Sequence, residues 1–278
     1  MSLHITSLNS GSNGNCYYIG NDEEAILVDA GISCRETEKR LKRLGLSMTK
    51  IKAIFVSHEH GDHITGVSVL AKKYQLPVYI TASTHTHGRL QLEKHLVKTF
   101  EAHNPATIGR LSITAFPKFP DASDPHSFIV ANHTVKVGIF TDIGIACEQV
   151  ISYFGQCHAA FLEANYDEEM LEKGSYPWHL KNRIRGGMGH LSNAQALQLF
   201  INHRPAFMSH LFLSHLSKNN NTPELVQALF HPHAGNTEII VASRYNETAV
   251  YQVNHTENPL LKITRTVSKK PQLQLSLF

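Results

Sequence analysis

Three imidazoles and the carboxylate of Asp62 crowd into the stretch Ser57-His58-Glu59-His60-Gly61-Asp62-His63. Imidazole nitrogens and carboxylate oxygens are the donors that Zn²⁺ and similar divalent ions prefer, so His58, His60, Asp62 and His63 read as metal ligands. The stretch follows the apolar run Ile51–Val56 and precedes Ile64–Tyr74, whose apolar residues recur at helical spacing. A strand that ends in a tight turn and opens a helix aims all four side chains into one cavity. Even with 19 His among 278 residues, the pattern is expected in only ~2 of 1,000 shuffled chains of this composition.

Other acids and histidines stand in the same relation to apolar runs. Asp29 follows Ala25–Val28, Asp142 follows Val135–Phe140 by one residue, and His215 follows the run Ala206–Leu213 and Ser214. Strand ends that meet on one edge of a sheet build a site from residues distant in sequence. Strands are also expected at Leu3–Leu8 and Cys16–Ile19, joined by the Gly-rich turn Asn9–Asn15, and at Pro77–Ile80, Ile108–Ala115, Phe128–Phe140, Ala159–Leu162 and Ile239–Ala242. Helical patterns cover Arg35–Leu44, Ser83–Leu96, Cys147–Phe154, Asp167–Lys173, Asn193–Ile201 and Pro223–His231, the first closed by Gly45. From about His255 the chain turns polar and loses periodicity. The expected division is a folded domain over residues 1–254 and a flexible tail over 255–278.

Composition bounds the reading without deciding it. A hydrophobic content of 42% and a charged content of 18% suit a globular chain. A net charge of +3 permits a nucleic-acid partner but does not argue for one. Cys16, Cys34, Cys147 and Cys157 lack C-x-x-C spacing and read as packed thiols in a reducing compartment. The start Met1-Ser2-Leu3-His4 has no basic segment followed by an apolar one, and no apolar run approaches membrane-spanning length. The expectation is a cytoplasmic protein with no membrane partner.

The His-x-His-x-Asp-His pattern, with the acids and histidine after the later strands, resembles the metallo-β-lactamase fold superfamily. That resemblance implies an α/β chain folded as a four-layered αββα sandwich. It also implies that Asp29 supports the metal-site loop and that Asp142 is shared between two ions. His58 and His60 would hold the first ion, and Asp62, His63 and His215 the second. Several further motifs are similar to those of the YycJ (WalJ) type bacterial exonucleases: Ser10-Gly11-Ser12-Asn13-Gly14-Asn15, Glu163-Ala164-Asn165-Tyr166-Asp167, Tyr176-Pro177-Trp178, Gly189-His190-Leu191-Ser192-Asn193 and His215–Pro223. This resemblance runs from Leu3 to about Val253. It implies phosphodiester hydrolysis in which two ions activate a water and neutralise phosphate charge. Asp62 would act at the metal centre, His190 would serve the leaving oxygen, and Glu163 would orient His190. Lys181, Arg183 and Arg185 form a basic cluster able to grip flanking phosphates, with a solvated loop as the competing reading.

One position departs from the family pattern. The family places a ligand histidine in a His-Asp-Ala-x-Asp-Pro segment, where this chain has Pro120-Asp121-Ala122-Ser123-Asp124-Pro125. Proline offers no donor atom, so the first ion keeps only His58, His60 and the shared Asp142. Either water fills the gap, the first-ranked alternative, or His126 or Asp121 reaches in, or that ion binds weakly. The cofactors implied are two divalent ions, Zn or Mn, with Fe as a further candidate.

The last five residues, Gln274-Leu275-Ser276-Leu277-Phe278, resemble the Gln-Leu-Ser/Asp-Leu-Phe peptide by which bacterial replication and repair proteins dock on the DNA polymerase sliding clamp. Leu275, Leu277 and Phe278 would supply apolar anchors and Gln274 a directional polar contact. The leading expectation is a metal-dependent DNA exonuclease in repair or replication. The alternatives are a hydrolase of RNA or of a small phosphodiester or thioester, and a DNA-binding scaffold with a partly degraded metal site.

Overall fold

The computed structural model describes residues 2–119 and 121–255. Pro120 and the peptide residues Gln274, Leu275, Leu277 and Phe278 lie outside the described residues. In chain order the first half holds β1 (Ser2–Asn9), β2 (Cys16–Gly20), β3 (Ala25–Val28), α1 (Cys34–Arg43), β4 (Ile51–Phe55), α2 (Gly61–Ile64), α3 (Val67–Tyr74), β5 (Val78–Tyr79), α4 (Ala82–His87) and β6 (Val97–Lys98). The second half holds β7 (Ala106–Ile108), β8 (Leu111–Pro117), β9 (His126–Asn132), β10 (Val135–Phe140), α5 (Glu148–Phe154), β11 (Ala159–Glu163), α6 (Glu168–Lys173), α7 (Trp178–Arg185), α8 (Asn193–His203), β12 (His210–Ser214), α9 (Pro223–Phe230), β13 (Glu238–Val241) and β14 (Tyr251–Asn254).

The strands form two sheets, ordered β14-β1-β2-β3-β4-β5-β6 and β13-β12-β11-β10-β9-β8-β7. Side chains of successive strand residues leave on opposite faces, so strands buried on both faces read as continuous apolar runs. One set of faces packs sheet on sheet, with Ile5, Tyr17, Ile19, Val28 and Phe55 meeting Phe128, Val137, Ile139, Phe161 and Phe212. The alternate residues Tyr18, Leu27 and Ile54 share a cluster with Leu41 of α1 and Val67 and Leu70 of α3. On the far side Phe140, Leu162 and Leu213 pack with Phe154 of α5, Phe200 of α8 and Phe230 of α9. The layers are therefore helix, sheet, sheet, helix, as expected.

Some local expectations change. The helix expected over Ile64–Tyr74 is interrupted between α2 and α3, where Gly66 N donates to Ala30 O at 2.7 Å. A Cβ at Gly66 would stand 2.1 Å from Ile32 O, so only glycine permits this close approach. The helix expected over Ser83–Leu96 stops at His87, because Gly88 caps it and Arg89 turns to φ +49°. The stretch after Pro177, for which no element was expected, is the two-turn helix α7. β14, not anticipated, pairs antiparallel with β1 at the sheet edge.

Candidate metal centre and its cleft

Five strand ends deliver the site. Asp29 follows β3, Ser57 and His58 follow β4, Asp142 follows β10, Glu163 ends β11 and His215 follows β12. Since β3 and β4 are parallel neighbours, as are β10, β11 and β12, their carboxyl ends open on one edge. Asp29, Asp142 and His215 all have left-handed backbones, with φ of +58°, +52° and +56°. Non-glycine residues rarely adopt that region, and such conformations cluster at functional sites.

Asp29 is the support beneath the cluster. Its Oδ1 accepts from Ser57 N at 2.7 Å, and its Oδ2 accepts from Ser57 Oγ at 2.8 Å and lies 2.7 Å from His63 Nδ1. With Nδ1 engaged there, His63 turns Nε2 toward Asp142 Oδ2 at 3.0 Å and Asp62 Oδ2 at 3.5 Å. His215 closes the group, its Nε2 3.4 Å from Asp62 Oδ2 and its Nδ1 3.5 Å from Asp142 Oδ1. Asn15 Nδ2 donates to Asp62 Oδ2 at 3.1 Å and lies 3.1 Å from His63 Nε2. His58 is fully buried, its Nδ1 2.8 Å from Ser57 Oγ and its Nε2 3.0 Å from His60 Nδ1.

These donors suit a divalent ion. Asp62, His63 and His215 each bring a ligand atom within 4.8 Å of the others, as do His58, His63 and Asp142. Asp142 Oδ2 is buried with no hydrogen bond of good geometry beyond its 3.0 Å contact with His63 Nε2, so it keeps acceptor capacity toward the cluster. His60 joins none of the donor groups found among the described residues. His126 does not either: its Nδ1 lies 3.1 Å from Asp124 O and its ring meets Phe100 edge-on. Asp121 is engaged with Arg183, Oδ2 to Nε at 3.0 Å.

Charge in the cluster is balanced by protons. Burial opposes a charged His63, but Asp142, Asp62 and Asp29 outweigh it and hold its pKa well above the usual imidazole range. Burial likewise opposes a charged His215, and Asp142, Asp62 and Glu163 bring its pKa up to about 10. Asp142 is held well below the carboxylate range, since His215 and His63 overcome its burial. His58, by contrast, is pushed well below the imidazole range by burial, reinforced by His63 and Lys118.

Glu163 and His190 form a second unit at the rim. Glu163 is fully buried and its Oε1 lies 2.7 Å from His190 Nδ1 and 3.0 Å from His215 Nδ1. Its Oε2 accepts from Ile143 N at 2.8 Å and Leu191 N at 3.3 Å, which locks the carboxylate in place. Ser192 starts α8 with a capping box to Gln195, fixing the backbone just after His190.

The cluster forms the floor of a cleft of about 360 Å³, with His60, Asp62, Asp142, His190 and His215 on its surface. Leu180, Arg183 and Ile184 of α7 share one helix face and line one wall, joined by Tyr176 and Ser12. Of the expected basic cluster, only Arg183 is on this wall. Lys181 is buried with its ammonium on Glu172 O. Arg185 stacks over Trp178 at 4.5 Å and contacts Glu172 Oε2 at 3.1 Å. Helical geometry separates residues that a linear reading groups together.

Asn15, Ser57, Asn165 and Lys118 are contributors that sequence reasoning did not single out. Asn165 Nδ2 donates to His215 O at 2.7 Å, and Ser10 Oγ accepts from His215 N at 2.8 Å. The signal for Asn15, Ser57 and Asn165 was membership of quoted motifs such as the Ser10–Asn15 hairpin, whereas Lys118 belongs to none of them.

Comparison with known proteins agrees with this geometry. Residues 24–215 match the family described as β-lactamase superfamily domain. Exodeoxyribonuclease YycJ of Bacillus anthracis is 36% identical over 232 residues, covering 82% of this chain and 87% of that protein. Exodeoxyribonuclease WalJ of Streptococcus pneumoniae is 34% identical over 225 residues, covering 78% and 83%. Among solved structures, the metallo-β-lactamase fold protein YhfI from Bacillus subtilis superposes with a TM-score of 0.69 at 17% identity, over 91% of this chain and 100% of that one. The chain thus belongs to the β-lactamase superfamily and, within it, to the group of the YycJ and WalJ exodeoxyribonucleases, a family of metal-dependent hydrolases.

Proposed function

We propose that this protein is a metal-dependent DNA exonuclease that hydrolyses phosphodiester bonds at its cleft. The observation that carries the reading is the joining of the Asp62, His63, Asp142 and His215 donors to the His190–Glu163 pair on one cleft floor. The names of the relatives give DNA as the substrate class.

Asp62, His63, Asp142 and His215 would hold a divalent ion, Zn or Mn by donor type, and His58, His60 and Asp142 would hold a second more weakly. Divalent ions in such a centre supply an activated water and neutralise charge on the attacked phosphate. Asp29 orients His63, and Asn15 steadies both Asp62 and His63 from the hairpin. His190 acts at the leaving oxygen. Its Nδ1 is taken by Glu163, which leaves Nε2 to give a proton to the departing alkoxide oxygen, so that it leaves as a hydroxyl. Arg183 exchanges Asp121 for a substrate phosphate, because its planar fork matches phosphate oxygens.

The fold occupies residues 1–254 in this reading, and residues 255–278 form a tail ending in a sliding-clamp peptide. Clamp docking through Gln274, Leu275, Leu277 and Phe278 would concentrate the enzyme at newly made DNA, in a cytoplasmic repair or replication role. Deletion of residues 274–278 is expected to abolish clamp binding and leave intrinsic cleavage unchanged. Among the described residues no helix is long and apolar enough to cross a membrane. The activity assay is metal-reconstituted protein against end-labelled DNA, RNA and a small phosphodiester. Release of terminal nucleotides from DNA is expected, and equal or faster turnover of RNA or the small diester would replace this reading.

A further inference from the structure

A buried cation sits beside the acids of the candidate metal centre. β8 ends at Pro117, and the next residue, Lys118, points inward with only 4% of its surface exposed. Its Nζ donates to Thr141 O at 2.7 Å, the carbonyl directly before Asp142. Among the described residues no carboxylate reaches ion-pair distance of this ammonium, so its charge is spread over the site instead of being spent on one partner. Asp142, Asp29, Glu163 and Asp62 all act on it electrostatically, countering the burial that draws its pKa down. A buried ammonium is costly unless the surroundings need its charge. Here the surroundings hold four acids.

The two halves of the centre are unequal in their donors. Asp62, His63 and His215 converge, with Asp142 open beside them. On the other half His58 converges with His63 and Asp142, which the first group also needs, while His60 joins no donor group and its Nδ1 faces His58 Nε2 at 3.0 Å. Two positions beyond Lys118 stands Pro120, which has no donor atom. The Lys118 ammonium, held on the carbonyl directly before Asp142, acts electrostatically on His58 as well, so it repels a second ion at that half and supplies part of the charge that ion would bring.

We propose that the Lys118 ammonium substitutes for the weaker of the two ions, so that the centre works with one tightly bound divalent ion at Asp62, His63, Asp142 and His215. This rests on the metal-centre reading above. Lys118 is not on the cleft wall, so it acts through its charge on the centre and not by touching substrate.

The test is uptake of Zn²⁺ and of Mn²⁺ by metal-free full-length protein, followed by calorimetry and native mass spectrometry. The wild type is expected to take up one ion tightly and a second weakly. Lys118→Met, which keeps the bulk and removes the charge, should tighten the second step by ~10-fold or more. Lys118→Arg should keep the wild-type pattern. Two equally tight ions in the wild type would overturn the proposal while leaving the metal centre standing. So would an unchanged or weakened second step in a Lys118→Met protein whose circular dichroism matches wild type. If Lys118→Met fails to fold, Lys118→Gln is read by the same two outcomes. A wild type that takes up no ion would overturn the metal centre itself, and the Lys118 proposal with it.

Discussion

Asp29 Oδ2 lies 2.7 Å from His63 Nδ1, and both side chains are fully buried. That contact fixes which ring nitrogen of His63 faces the cluster, and the same carboxylate holds Ser57 N and Oγ at the turn that carries His58. One acid beneath the floor therefore orients ligands from two positions of the metal-binding stretch. Asp29→Asn keeps the shape but removes the charge that favours the Nδ1–H form. The expected result is metal affinity lower by roughly 10–100-fold, the usual cost of losing such an outer partner. Calorimetric metal titration checks it, and unchanged affinity would show that Asp29 is only structural.

His190 is expected to matter in proportion to how much the leaving group needs a proton. His190→Ala should slow cleavage of a DNA phosphodiester by roughly 10²–10⁴-fold with metal content unchanged. An activated aryl phosphodiester, whose leaving group departs without a proton, should be much less affected. Equal losses on both substrates, or loss of metal, would remove the leaving-group role. Glu163→Gln should follow the same pattern more weakly, because Glu163 orients His190 from below.

Metal uptake should release protons. The folded-state pKa of His63 lies well above the imidazole range and that of His215 near 10, in both cases because the neighbouring acids outweigh burial. Both rings are therefore protonated in the metal-free protein at neutral pH, and a ring nitrogen must lose its proton before it can ligate. Affinity consequently rises with pH and falls as the solution is acidified. The check is calorimetry in buffers of different ionisation enthalpy, with a net proton release expected at neutral pH. Zero release would mean that the two rings are neutral before binding.

Much of the fold was legible because each ligand lies immediately after an apolar run. Val28 to Asp29, Phe140 to Asp142 and Leu213 to His215 are strand-to-loop exits, and period and composition mark strands well when both faces are buried. The ligand stretch 58–63 was visible for the same reason. What stayed hidden depends on tertiary placement. Lys118 reads as an ordinary surface lysine until β8 and the end of β10 bring it to Thr141 O. Asn15 touches Asp62 and His63 only because the β1–β2 hairpin folds over α2. α7 was masked by Pro177, which suggests a turn but here stands directly before the first helical residue, where its missing N–H costs nothing. At the break Gly66 N donates to Ala30 O, a tertiary contact between distant segments, and Ile32 O leaves no room for a Cβ there.

The central claim is that ligands from distant strand ends form one hydrolytic metal centre. The most direct measurement is nuclease activity and metal content of Asp62→Ala and His63→Ala, side by side with wild type, on end-labelled DNA. Both substitutions remove a donor from the cluster around His215 and Asp142. Each variant is expected to keep a native circular dichroism spectrum, lose the tightly bound ion and lose detectable cleavage. Undiminished cleavage by both variants, or full metal retention by both, would contradict the claim.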